Sequence, residues 1–339
     1  MRARRFLLAL PFLLAALAVG GSGFALRSLA PAAGIERDTL FRVPPGASLA
    51  AVAQDLEREQ LIRRAGAFEM LARWRGLAGE LRAGEYDLSP HLRTGEILER
   101  IAEGRVRTYR IAIPEGLTAA EIAQRLTEQG LADRDEFLAA TRSRELATEL
   151  GVEGESLEGY LFPETYQLAR GLEAAEIARA MVAQFHAIWP EIAPASQALD
   201  FSMRETVILA SIIEKETGVP EERSLIAAVF HNRLRRGMRL DTDPSVIYGI
   251  PDFDGNLSRA HLEDARNPYN TYQIPGLPPG PIANPGAASL RAAVAPARSS
   301  YLYFVSRNNG THQFSTSLTE HAAAVERFQK RRRSPPHPR

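Results

Sequence analysis

FSMRETVILASIIEKETGVPEERSLIAAVFHNRLRRGMRLDTDPSVIYG, residues 201–249, contains an eight-residue uncharged run, Thr206–Ile213, that gives way at once to Glu214, Lys215 and Glu216. Gly218 and Pro220 follow, so the pattern predicts an apolar helix over 206–217 that stops just after its carboxylates. A surface helix spreads its charges along one outer face. Charges gathered at the end of an apolar helix are placed for a cleft instead. Residues two apart on a helix do not share a face, so Glu214 and Glu216 are not a paired dyad. Glu216 extends the apolar line of Leu209 and Ile212/Ile213, and Glu214 extends Val207 and Ser211, which favours Glu216 slightly. In the last turn the negative helix end disfavours ionisation, and burial adds to it. A glutamic acid with a raised pKa suits general acid catalysis near neutral pH. The alternative is a structural glutamate paired with Lys215 or an arginine of a following helix, expected over 221–236.

The chain has 339 residues, enough for two or three domains, and its charge is balanced, with 41 basic and 41 acidic residues. That balance gives no electrostatic footprint for nucleic acid, and no nucleic-acid partner is expected. Cysteine is absent, which excludes disulfides, thiolate metal sites and cysteine nucleophiles. Arg2, Arg4 and Arg5 precede an uncharged run of 21 residues, Phe6–Leu26, long enough to span a hydrocarbon core. Arginines on its upstream side orient the N-terminus to the cytoplasm and the body outward. A cleaved signal peptide is the rival reading, because Ala16-Leu17-Ala18 has the character of a cleavage site. The expectation is a single-pass anchor over 1–28. The terminal KRRRSPPHPR, 330–339, is expected to be a solvated tail.

After a short linker the chain repeats itself. Val43-Pro44-Pro45-Gly46-Ala47-Ser48 corresponds to Ile113-Pro114-Glu115-Gly116-Leu117-Thr118, and Val52, Leu56 and Leu61 to Ile122, Leu126 and Leu131, at a constant offset of 70. A strand, a turn and a Ser/Thr-capped helix are therefore used twice. This unit is similar to LysM, a glycan-binding module; the plainer alternative is a packing or spacer domain. The EGYLFPETY segment, Glu158–Tyr166, combines aromatics that stack on sugar rings with carboxylates that bind hydroxyls, or else is a hydrophobic strand and turn. Helices are expected over 173–189, 287–295 and 319–329, and strands over 301–305 and 313–315. Between them, 238–284 is rich in turn signals and too long for an idle loop.

No phosphate-cradling glycine loop, HExxH or GxSxG motif occurs, and the seven histidines have no ligand spacing, so no cofactor or metal is expected. Asp241 and Asp243 in RLDTDPSVIYG are the remaining nearby carboxylates. One of them facing Glu216 across a sugar would make a two-carboxylate glycoside hydrolase. Alternatively Asp243, before Pro244, only closes a turn.

ILASIIEKETGVPEER, VFHNRLRRGMRLDTDPSVIYG, YNTYQIPGLPPGPIANPG and YLYFVSRNNGTHQFSTSLTEH, together with EGYLFPETY, resemble the MltG (YceG-like) endolytic murein transglycosylases over about 41–329, with several long motifs in the same order at matching spacing. The resemblance implies an α+β protein: an inner-membrane helix, a LysM-like subdomain over 38–108, and a catalytic domain over 109–330, of which 109–150 repeats the strand–turn–helix unit. It implies a main body in the periplasm and peptidoglycan glycan strands as substrate, cut internally. Glycan-synthesising enzymes are implied as partners, with control of nascent strand length. The second glutamate of the E-K-E-T motif, Glu216, would protonate the MurNAc–GlcNAc bond and then take the proton of the MurNAc C6 hydroxyl, closing a 1,6-anhydro ring. Glu164, Asn232, Asp243, Tyr248, Asn270 and Tyr272 are implied to hold sugar and N-acetyl groups. Asp241 stands where the family often has glutamine.

Overall fold

The structure is a computed structural model that describes residues 27–32, 38–216 and 218–330. The expected anchor, apart from 27 and 28, and the expected tail beyond Lys330 lie outside the described residues. Among the described residues no helix is long and apolar enough to cross a membrane. The described residues have a mixed α+β architecture with three separate two-stranded sheets, β1–β2, β3–β4 and β5–β6. Contacts divide the chain into one unit of residues 1–109 and 167–171 and a second of 110–166 and 172–339.

The first unit runs β1 (Thr39–Val43), α1 (Leu49–Arg58), α2 (Ala65–Trp74), β2 (Gly84–Leu88), α3 (Thr94–Glu103). β1 and β2 pair antiparallel, with Phe41 opposite Tyr86. Both rings are buried with Val52, Leu56, Phe68, Ile97 and Ile101 in one apolar core. Ser48 caps α1 by accepting from the Ala51 N–H at 3.2 Å.

The repeat is visible in the backbone. β3 (Thr108–Ala112) leads to α4 (Ala119–Glu128), which starts and ends 70 residues after α1. Thr118 caps α4 in a reciprocal box with Glu121. Val52, Ala53 and Leu56 are buried in the first copy, and Ile122, Ala123 and Leu126 in the second. Gly46 and Gly116 both take φ near +70°, at 72° and 78°, where a side chain is disfavoured.

In chain order α4 is followed by α5 (Arg134–Thr141), α6 (Arg144–Glu149), β4 (Thr165–Ala169), whose last three residues count with the first unit, and α7 (Ala174–Ala198). The turn chemistry around Asp133 and Ser143 conceals α5 and α6 in the sequence, although both residues act as N-caps. The expected stop of α7 at Trp189 is corrected: the helix continues through Pro190 and Pro194 to Ala198. Tertiary burial overrides the local penalty of proline, since Ile192 and Ser196 are buried and the Ser196 hydroxyl bonds Phe201 O and Thr206 Oγ1, both at 2.8 Å.

α8 (Met203–Glu216) is the axis of the second unit. Thr206–Ile213 are buried without exception, as an apolar run on every face requires. It packs against α7, α9 (Arg223–Arg235), α10 (Asp243–Tyr248) and α12 (Ala287–Val294). A short α11 (Arg259–Glu263) interrupts the loop-rich segment, and β5 (Tyr303–Ser306), β6 (His312–Ser315) and α13 (Leu318–Val325) complete the unit.

EGYLFPETY belongs largely to the core. Tyr160, Phe162 and Tyr166 are buried; Tyr160 meets Phe185 edge-on at 5.1 Å, and the Tyr166 hydroxyl donates to Phe162 O. Its rings are thus unavailable for stacking on sugars. Gly159 is required there: at φ 91°, a Cβ would lie 2.5 Å from the Pro281 side chain and 2.8 Å from Val207 Cγ1.

Candidate active site

α8 delivers its two glutamates to different surroundings. The Glu214 side chain is only 7% exposed. One oxygen accepts from the Gly286 N–H at 3.0 Å, and the other lies 3.8 Å from the Arg223 guanidinium. Lys215 donates to Gly116 O at 3.1 Å. The structural-glutamate alternative therefore describes Glu214, with Arg223 of the next helix as its cationic neighbour.

Glu216 is of intermediate exposure and lines a cavity of about 380 Å³ with Arg233, Asp241, Asp243, Tyr272, Tyr303 and His321 among its walls. Burial pushes its pKa up to about 7; Asp243 raises it further, while a hydrogen bond from Thr242 and the charges of His312 and Arg233 oppose the rise. The group can hold a proton at neutral pH and yet release it, as an acid that later acts as a base must.

Thr242 was not among the expected site residues. Its hydroxyl donates to Glu216 Oε1. A buried hydroxyl cluster holds it in place: the Thr242 N–H donates to Thr271 Oγ1 at 3.0 Å, and Ser245 Oγ donates to Thr242 O at 2.8 Å and lies 2.8 Å from Thr271 Oγ1. The only available signal was its position between Asp241 and Asp243. Replacing it by the isosteric valine removes a charge-assisted hydrogen bond worth about 1.5–3 kcal/mol. Thr242→Val is expected to lower kcat/KM about tenfold or more. It should also move the alkaline limb of the pH profile upward, because that hydrogen bond favours the ionised form. An unshifted limb counts against this role.

Asp243 and Tyr272 meet in the cavity, with the Tyr272 hydroxyl donating to Asp243 Oδ1 at 2.8 Å. Burial raises the Tyr272 pKa, and the Asp243 hydrogen bond adds to it, so the phenol stays protonated. Asp241 takes φ 47°, and its carboxylate sits 3.0 Å from Arg233 Nη1. Arg233 is 8% exposed and also donates to the carbonyls of Leu302, Arg239 and Leu240. Both aspartates that share the cavity with Glu216 are thus already hydrogen-bonded.

The other four expected site residues do not line this cavity. Asn270 is fully buried; its Nδ2 donates to the carbonyls of His261, Leu262 and Asp264, and its Oδ1 accepts from the Tyr272 N–H. It shapes the loop that carries Tyr272. Asn232 Nδ2 donates to Ser299 O and Tyr301 O at 3.0 and 2.8 Å, tying α9 to the approach of β5. Glu164 is exposed, and its carboxylate accepts from the Thr165 N–H. Tyr248 lines a second cavity, of about 550 Å³, beside Glu158. Its hydroxyl donates to Glu158 Oε2 at 3.3 Å. Glu158 also accepts from the Ala119 N–H at the start of α4 and from Asn284 Nδ2, and burial pushes its pKa up to about 7 against those bonds.

The family model described as YceG-like matches residues 41–327. The chain belongs to the YceG-like family. It is 30% identical over 304 residues to the endolytic murein transglycosylase of Bacillus subtilis (strain 168), covering 85% of this chain and 84% of that protein. It is 27% identical over 338 residues to the endolytic murein transglycosylase of Streptococcus pneumoniae serotype 2, covering 89% of this chain and 61% of that longer protein. The crystal structure of a yceG-like protein from Listeria monocytogenes superposes with a TM-score of 0.58 at 31% identity, over 85% of this chain and 99% of that one. The resemblance carried by the motifs therefore holds at the level of the family, and it places the Glu216 cavity within the matched region.

Proposed function

We propose that this YceG-like chain is a membrane-anchored lytic transglycosylase that cuts peptidoglycan glycan strands internally and leaves 1,6-anhydro-MurNAc ends. The observation that carries the reading is one carboxyl group in the cavity, Glu216, held near neutrality by burial while Asp241 and Asp243 are engaged by Arg233 and Tyr272. Protonated Glu216 gives its proton to the glycosidic oxygen as the C1–O bond breaks. The sugar's own N-acetyl oxygen stabilises the anomeric centre. The carboxylate then takes the C6 hydroxyl proton as O6 closes on C1. The proton returns to Glu216, and no water is consumed. The names of the bacillar and streptococcal relatives support the reaction class.

The apolar run Phe6–Leu26 supports anchoring, with the body on the outer face of the cytoplasmic membrane. The strand–helix–helix–strand order of residues 39–88, with antiparallel strands, supports a LysM-like module over 38–108. Residues 109–330 form the catalytic part, and nascent strands beside glycan-synthesising enzymes are the expected targets. Of the other expected sugar-binding residues, Asn270 and Asn232 act in this reading by holding the Tyr272 loop and the approach of β5, and Glu164 and Tyr248 along an extended strand outside the Glu216 cavity. A hydrolase using Glu216 and an aspartate, and a non-enzymatic glycan-binding scaffold, are the competing readings.

Digestion of purified peptidoglycan, followed by mass spectrometry of the fragments, separates the three. Anhydro-MurNAc ends are expected from the wild-type chain. Reducing ends would establish the hydrolase, and binding without products the scaffold. Glu214→Gln is expected to keep activity within about tenfold of wild type, since its remaining amide oxygen still accepts from Gly286. An equal loss in Glu214→Gln and Glu216→Gln would overturn the assignment of the acid.

A further inference from the structure

His321 lies on the wall of the Glu216 cavity, and neither the motifs nor the relatives assign it a task. The capping box of Ser317 and Glu320 starts α13 and fixes its first turn. His321 follows one residue later, its N–H donating to Ser317 O at 3.0 Å. Its ring stacks on Tyr303 of β5, with centroids 5.2 Å apart and planes at 22°. Tyr303 is itself fixed, because the Arg233 guanidinium lies 5.2 Å from its ring centre. The imidazole is therefore held in one orientation by packing.

Its two nitrogens differ. Nδ1 is buried and has no hydrogen-bond partner among the described residues. Nε2 is not among the buried unpartnered atoms and has no hydrogen-bond partner among the described residues, so it is the accessible nitrogen of a ring that lines the cavity. A buried N–H without an acceptor is a rarer and costlier arrangement than a buried lone pair. The neutral ring thus keeps its hydrogen on Nε2. Burial, reinforced by the Arg233 charge, lowers the pKa and keeps the ring neutral. The charged and titratable groups that share the cavity are Glu216, Asp241, Asp243, Arg233, Tyr272 and Tyr303; of these the two aspartates, Arg233 and the Tyr272 hydroxyl are already bonded to protein partners.

Next to this donor is apolar surface. Leu318 precedes His321 by three residues on α13, on the same face, lines the same cavity and is 64% exposed. An N–H donor beside an exposed leucine and a tyrosine ring matches a small acyl amide, with a carbonyl oxygen and a methyl group side by side. We infer that His321 is a substrate-binding residue whose Nε2–H donates to the acetamido oxygen of an N-acetylated sugar, while Leu318 and Tyr303 receive its methyl group. The inference deepens the proposed function and rests on its placing an amino-sugar polymer in the Glu216 cavity.

Long-range 1H–15N spectra of the full-length chain in detergent, with His321→Gln used to assign the ring, read the tautomer directly. The expected result at pH 7 is a neutral ring with hydrogen on Nε2 and a bare Nδ1. Triacetylchitotriose is expected to shift the His321 ring resonances, and cellotriose, which lacks acetamido groups, is not. On peptidoglycan, His321→Ala should raise KM about tenfold with a smaller change in kcat, and His321→Gln, which retains an N–H donor, should recover part of the loss. A hydrogen on Nδ1, a charged ring, or no perturbation by triacetylchitotriose overturns the inference, whether or not the variants fold. These readouts do not require turnover: failure of the wild-type chain to cut peptidoglycan defeats the proposed function, whereas a wrong tautomer in an active enzyme defeats only the role of His321.

Discussion

Glu216→Gln is expected to lower the release of anhydro-MurNAc ends by about 1,000-fold or more, within the range that a positioned general acid contributes. The amide has the same shape and still accepts the Thr242 hydroxyl hydrogen bond, but it cannot donate a proton to the leaving oxygen or take one from the C6 hydroxyl. The same substitution should stabilise the fold, and the sign of the pH dependence follows from the pKa. The carboxyl rises from an ordinary 4.5 to about 7 on folding, so the native state binds the proton more tightly than the unfolded chain. Below the ordinary value both states are protonated and nothing is lost. As pH rises through the interval up to about 7, wild type loses stability, and above it the loss is complete. Glutamine has no such titration. Thermal melts should therefore show wild type and Glu216→Gln nearly equal at pH 4, and the variant higher at pH 8. A variant that melts lower at pH 8 would mean that the ionised carboxylate is stabilised by partners, contrary to the burial argument. Loss of activity with gain of stability is the signature of a group held in an unfavourable setting for its chemistry.

Asn284→Ala is expected to cost about 4 kcal/mol or more in urea unfolding. Asn284 is fully buried, and its side chain makes four hydrogen bonds. Oδ1 accepts from the N–H groups of Gly159 and Leu161, both at 2.8 Å, and Nδ2 donates to Leu117 O at 2.9 Å and Glu158 Oε1 at 2.8 Å. Alanine leaves the Gly159 and Leu161 N–H groups without their acceptor, at about 1–3 kcal/mol for each, and removes one hydrogen bond worth about 1 kcal/mol from Leu117 O and from Glu158 Oε1, which keep the residue-284 and Ala119 N–H donors. Asn284→Asp keeps the acceptor, loses the donor, and sets a second carboxylate against Glu158. Its destabilisation should thus be larger at pH 8 than at pH 5, because protonating either group relieves the repulsion. Unfolding curves at the two pH values check both substitutions; an effect below about 1 kcal/mol for Asn284→Ala would show that the loop repacks. The consequence reaches the site. Nearby, the Ile282 N–H donates to Ser211 Oγ and the Gly286 N–H to Glu214 Oε2, so the segment around Asn284 braces the C-terminal half of α8 from which Glu216 projects.

These two residues also mark how differently parts of the site could be read. Glu216 was legible because a carboxylate at the end of an apolar helix is a local pattern, and periodicity alone ranked it slightly above Glu214. Asn284 lies in a proline-rich stretch, and no local signal shows that its amide joins Leu117, Glu158 and the Gly159–Leu161 turn, more than a hundred residues away along the chain. Asn270 shows how composition leaves an amide's partners open. An amide between two tyrosines has the composition of a sugar site, yet three backbone carbonyls of its own loop occupy it. The EGYLFPETY aromatics behave likewise, since the same rings suit a glycan or a core and only packing distinguishes them. Thr242 carried no signal beyond its place between two aspartates and His321 none, because what each side chain can do depends on what lies opposite it.

What the sequence determined by itself was local or periodic. The apolar run of α8 and its stop, the capped helices α1 and α4 repeated 70 residues apart, and the family motifs all rest on neighbours within a few turns of chain. What only the tertiary structure decided was which polar groups meet. Glu214 turns to Gly286 and Arg223, and Glu216 turns to Thr242 and the cavity, although they are two residues apart on one helix. The physical reason is that a side chain's chemistry depends on its solvation and its hydrogen-bond partners, and those partners come from segments that the fold, not the chain order, brings together.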